Sequence, residues 1–102
     1  MFDKSIKLSE YEVLDIYLRE VEKDACYPEG VKYAINYRVK ETGSWIVKIR
    51  VDNKECQGHH VHFDGKLAEF NFKSFEETIA YVLNERLKLN EIGSERNRDK
   101  IT

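Results

Sequence analysis

The chain has one proline, five glycines and two cysteines in 102 residues. So little glycine and proline, together with 12% aromatic residues, excludes collagen-like, low-complexity and fully disordered classes. Cys26 and Cys56 match no CxxC pattern. Two such thiols in a reducing cytosol are most often unpaired, and a bridge between them stays open. No apolar run is long enough for a helix to span a bilayer. The opening residues Met1-Phe2-Asp3-Lys4 lack the basic-then-apolar shape of a signal peptide. The expectation is a soluble cytoplasmic protein. There is no internal repeat, and the length fits one domain, placed at 1–92 with a polar, frayed and disordered tail expected at 93–102.

What is present is charge, 35% of residues, unevenly placed. Residues 1–30 carry four Lys/Arg and eight Asp/Glu, a balance of −4. Residues 31–60 carry six and three, a balance of +3, and hold His59 and His60. Residues 61–102 carry seven and eight, a balance of −1. A basic middle third admits a polyanion partner.

Residues 12–22 read two ways. Ser9 and Glu12 form a potential capping box for a helix, while the alternation Leu14, Ile16, Leu18 suits a strand. The next segments are clearer. Val31, Tyr33, Ile35, Tyr37 and Val39 alternate with polar residues, as do Trp45, Val47, Ile49 and Val51. Glu41-Thr42-Gly43 reads as a three-residue hairpin loop, which pairs Val39 with Trp45, Tyr37 with Val47 and Ile35 with Ile49. Lys32, Asn36, Arg38, Lys48 and Arg50 then share the opposite face, where Ala34 leaves space beside Arg50. Asp64-Gly65 is a two-residue turn joining 59–63 to 66–72, with His60 opposite Glu69 and His62 opposite Leu67. Ser74-Phe75-Glu76-Glu77 is a capping box opening a helix. Phe75, Ile79, Val82, Leu83 and Leu87 form its apolar stripe, with Arg86 inside it and Gly93 as the stop. The expected fold is α+β, an antiparallel meander of about five strands with a C-terminal α-helix on one face.

All three histidines of the chain fall at His59, His60 and His62. Two imidazoles at i and i+2 share one face of a strand, and neutral and protonated forms coexist near pH 7. With Glu69 or Asp52 to orient a ring, His60 and His62 make an acid/base pair. Arg50, with Lys48 or Arg38, is placed for a phosphoryl oxyanion, and Arg86 for an anion at the sheet rim. This equipment suits metal-free RNA cleavage through the ribose 2′-hydroxyl. Surface histidines and solvated cations on a hairpin would give the same letters. A metal reading uses His60 and His62 with Cys56 or Glu69, but a closed tetrahedral site needs four ligands. No metal or cofactor is therefore expected. Asp52-Asn53 also reads as an Asx turn ending a strand.

The run Tyr33-x-x-x-Tyr37-Arg38, then Arg50-x-Asp52-Asn53, Gly58-x-His60-x-His62 and Phe72-x-Ser74 before a helix resembles the TumE family. These are toxins of prokaryotic toxin–antitoxin modules. The resemblance covers about residues 12–90 and implies that 12–22 is a strand. It singles out Asp52, Asn53, Gly58, His60 and His62. Gln57 and His59 depart from the pattern, where a basic and an acidic residue are frequent. The family implies a partner, an antitoxin usually carrying a DNA-binding helix-turn-helix, and RNA as a substrate follows by analogy with other small toxins. The rival expectations are a non-catalytic module whose sheet edge binds a partner protein or a second copy as a homodimer, and a small metal-binding protein.

Overall fold

The computed structural model describes residues 2–56, 58–63 and 65–101; side chains are described for all of these except 55 and 90–101. Six strands run in sequence order through one antiparallel sheet: β1 (Phe2–Ser9), β2 (Glu12–Glu20), β3 (Val31–Glu41), β4 (Ser44–Asp52), β5 (His60–Phe63) and β6 (Lys66–Glu69). A 3₁₀ turn, Lys54–Cys56, links β4 to β5, and helix α1 (Phe75–Ile101) follows β6. The meander with a C-terminal helix is the expected α+β fold. The additional strand is β1, and residues 12–20 are strand rather than helix. The capping box of Ser9 and Glu12 does not form: Ser9 Oγ instead accepts from Tyr11 N–H at the β1–β2 turn.

The core lies on one face of the sheet. Leu14, Ile16, Tyr33, Ile35, Tyr37, Ile49, Val51 and Val61 point there by strand alternation, and Val82 of α1 closes over them. Ser74 opens the helix as expected: its Oγ accepts from Glu77 N–H at 3.1 Å, and its carbonyl accepts from Thr78 Oγ1 at 2.8 Å. Leu87, expected in the buried stripe, is 52% exposed, while Leu89 packs against the core. Here the 3.6-residue period decides between neighbours: 82, 86 and 89 stay in line while 87 rotates outward. The helix also continues through Gly93, where a stop was expected. An isolated interior glycine costs only about 1 kcal/mol. The polar tail expected at 93–102 falls outside the residues with described side chains. No helix among the described residues is long and apolar enough to cross a membrane.

The β3–β4 hairpin departs from the expected register. Its turn has two residues, with Glu41 opposite Ser44, and both Thr42 (φ 48°) and Gly43 (φ 82°) are left-handed. That conformation matches the twist of the flanking strands. Val39 therefore pairs with Ile46 and Arg38 with Val47. A bulge at Lys48 then shifts the register, so that Tyr37 pairs with Ile49, Ile35 with Val51 and Ala34 with Asp52. One extra residue reverses the phase of side chains along β4. Trp45 and Val47, expected in the core, lie on the outer face, and Arg38 stacks over the Trp45 ring at 4.8 Å. Among the described residues, no element covers that outer face.

Candidate active site

The outer face is where β4 and β5 bring the chemistry together. Register pairs Asp52 with His60 and Arg50 with His62, so all four side chains project from the same side. Asp52 is almost fully buried at their centre. Its Oδ1 lies 2.7 Å from His60 Nε2, and its Oδ2 accepts from Arg50 Nε and lies 3.8 Å from His62 Nε2. The two imidazole rings sit edge to face with centroids 4.9 Å apart. The rings expected to project together do so, beside the guanidinium expected there.

The two rings are in different situations. His60 is buried, and its Nδ1 lies 3.0 Å from the Gly58 carbonyl. A carbonyl only accepts, so Nδ1 donates to it, and Nε2 is left facing the carboxylate. Gly58 supports this with a left-handed backbone (φ 72°) that brings its carbonyl under the ring. The side chain of His62 is 46% exposed and open to solvent.

Burial works against ionisation of Asp52. The hydrogen bonds from Arg50 and the Lys54 N–H, with the charges of His60 and Arg50, outweigh it and hold the carboxyl below its ordinary value. The Lys54 N–H bond at 3.3 Å is the Asx turn read from the sequence, so Asp52 both ends the strand and orients an imidazole. Glu69, the other carboxylate considered, stands opposite His60 in register and lines a hollow of about 210 Å³ with His59 and His60. Asp52 is the carboxylate that reaches the ring.

The remaining expected site residues are distributed. Lys48 pairs with Glu41 at 3.0 Å and lines a groove of about 400 Å³ with Arg50 and His62. Arg38 lies on the same face but pairs with Asp15 at 2.7 Å. Asn53, considered for substrate binding, is buried and bonded to the backbone of β3: it accepts from Tyr33 N–H at 2.9 Å and donates to the Val31 carbonyl at 2.8 Å. Arg86, considered for an anion at the rim, lies on the core side. It grips Glu12 through two bonds, 2.7 and 3.1 Å, and Tyr37 donates to the same carboxylate at 2.7 Å. The anion it meets is internal. Cys56 is bridged to Cys26 and is no metal ligand. Asp52, His60 and His62 each offer one ligand atom, all within 4.8 Å of one another, so this trio is where a metal ion would bind. The Arg50 cation on Oδ2 opposes that occupancy.

His59 does not join the cluster. Alternation turns it to the other face, where it stacks on Phe72 at 4.5 Å. Burial first, then the negative charges of Asp52 and Glu29, push the Tyr33 phenol above its usual range, and its hydroxyl lies 2.9 Å from His59 Nδ1. His59 Nε2 then donates to Glu29 at 2.7 Å. The loop between β2 and β3 is thus tied to the entrance of β5 by this relay and by the Cys26–Cys56 bridge. Nothing in the spacing of Glu29 and Tyr33 announces the relay.

No protein-family model matches the chain, no curated protein matches its sequence, and no solved structure matches it.

Proposed function

We propose that the protein is a metal-independent endoribonuclease, a TumE-like toxin of a toxin–antitoxin module. The observation that carries the reading is the buried Asp52 carboxylate holding His60 and Arg50 beside the exposed His62, on a sheet face left uncovered among the described residues. Lys32, Lys40, Lys48 and Lys54 add positive charge around that face, which suits a polyanion.

In this reading His62 takes the proton of a ribose 2′-hydroxyl, whose oxygen attacks the adjacent phosphorus. The free end of the Arg50 guanidinium meets the developing oxyanion. As the bond to the 5′-oxygen breaks, protonated His60 supplies that oxygen with a proton from Nε2, the nitrogen beside Asp52. The products are a 2′,3′-cyclic phosphate and a free 5′-hydroxyl.

Incubation of purified protein with single-stranded RNA tests this, with EDTA present throughout. Cleavage in EDTA yielding cyclic-phosphate ends is expected, with a loss of about 10²–10⁴-fold in His60→Ala and His62→Ala. Cleavage that stops in EDTA, or survives in the double variant, overturns the assignment.

A second reading rests on β1, an eight-residue strand with one edge open. Such an edge accepts a strand from another protein, and the antitoxin is the partner proposed for it. Co-purification with the product of an adjacent helix-turn-helix gene, lost on inserting proline at Ser5, checks it.

A further inference from the structure

The outer face carries a second groove, about 440 Å³, beside the histidine cluster. It exists because of Ala34. This residue stands between Tyr17 on β2 and Asp52 on β4, and its methyl group leaves a hollow in the row. Lys32, Lys54 and Arg50 line one part of the hollow; Tyr17, Asp3, Ser5 and Asp15 line another. Arg50 is common to this groove and to the one that holds His62, so a chain passing between the two crosses its guanidinium. Asn36, the register partner of Arg50, also lines the hollow, and its Oδ1 is buried without a hydrogen-bond partner among the described residues. Buried acceptors are normally satisfied, so a donor is missing at this spot.

We infer that this hollow binds one nucleotide of single-stranded RNA, adjacent to the phosphate at Arg50. The inference rests on the ribonuclease reading for its substrate. The nucleotide's phosphate lies toward Lys32, Lys54 and Arg50, and its base stacks on the half-buried Tyr17 ring. Stacking of this kind tolerates every base. The groups around the base add a preference. Asp3 ends in acceptors, Ser5 Oγ already donates its proton to Asp15 at 2.6 Å, and Asn36 Oδ1 needs a donor. Such a wall matches bases whose exocyclic amino group offers two donor hydrogens, adenine, cytosine and guanine, ahead of uracil, which offers N3–H alone.

The test uses 2′-O-methyl oligonucleotides, which cannot be cleaved through the 2′-hydroxyl, with binding to the full chain read by fluorescence anisotropy at fixed salt. Tyr17→Ala is expected to weaken binding about tenfold by loss of one stacking surface. Ala34→Met fills the hollow without changing charge and is expected to have at least the same effect at a temperature where circular dichroism shows the variant folded. Homocytidine oligomers are expected to bind more tightly than homouridine ones. Oligonucleotide affinity unchanged in both folded variants, or equal affinity for cytidine and uridine, overturns the subsite while leaving the cleavage assignment standing. Binding that depends on Tyr17 and Ala34 in a protein that cleaves no RNA supports the subsite and removes the ribonuclease reading.

Discussion

Asp52 Oδ1 lies 2.7 Å from His60 Nε2 while Oδ2 of the same carboxylate accepts from Arg50, so one buried carboxylate holds an imidazole and a guanidinium in place. Its carboxyl is depressed below the ordinary value, against the opposing effect of burial, by the Arg50 and Lys54 hydrogen bonds and by neighbouring positive charge. A depressed carboxyl contributes stability that is present above the unfolded value, about 4, and is lost as pH falls through the folded one. Melting temperature is therefore expected to fall on acidification below about pH 4. Asp52→Asn is expected to be less stable at pH 7 and to show a smaller fall. An equal acid response in the two proteins, followed by circular dichroism, would show that Asp52 is not linked to folding.

The Cys26–Cys56 bridge closes a stretch with a sequence separation of 30. Cross-links of that size stabilise by about 2–4 kcal/mol. Cys26→Ser with Cys56→Ser is expected to lower the urea-unfolding free energy by this order. The bridge also ties the loop before β3 to the segment holding Gly58, so hydrogen exchange at 58–60 should quicken in the variant. Unchanged stability and exchange would mean that the bridge constrains neither.

Arg86, Glu12 and Tyr37 form a partly buried network joining α1 to β2 and β3. The hydrogen bond to Glu12 holds the Arg86 guanidinium still more firmly in its charged form, against burial. Arg86→Met is expected to cost about 1–3 kcal/mol, as hydrogen bonds to charged groups do. RNA cleavage well below the melting temperature should be unaffected, because Arg86 lies on the opposite side of the sheet from His62. Loss of cleavage at full folding would return Arg86 to the site.

Trp45 is the only tryptophan in the chain and is 41% exposed. The bulge at Lys48 predicts red-shifted emission that acrylamide quenches readily in the folded protein. Blue-shifted, protected emission would place Trp45 in the core and contradict the register.

These features differ in how openly the chain announces them. The β5–β6 register, with His60 opposite Glu69 and His62 opposite Leu67, follows from a two-residue turn signal and from alternation, and the structure has it. The helix start at Ser74 was equally local. The β3–β4 register was not legible, because Glu41-Thr42-Gly43 admits two turn lengths and a bulge leaves no mark in a periodic strand. That error hid the turn of Trp45 to the outer face and the pairing of Ala34 with Asp52. His60, His62, Asp52 and Arg50 were legible as neighbours because they sit on adjacent strands. The roles of Asn53 and Arg86 were not, since Val31 and Glu12, which engage them, are distant in sequence. The pairing of Glu29 with His59 spans 30 residues and lacks any local cue.

The strand order has a kinetic corollary. Every strand lies beside its predecessor in the chain, so no segment waits for a remote partner before it can pair. Topologies dominated by near-neighbour pairing lose little loop entropy and fold faster than those built on remote contacts. Asp52, His60 and His62 belong to one such local ribbon, β4 with β5. This cluster of side chains can therefore take shape during synthesis, before α1 emerges to seal the opposite face.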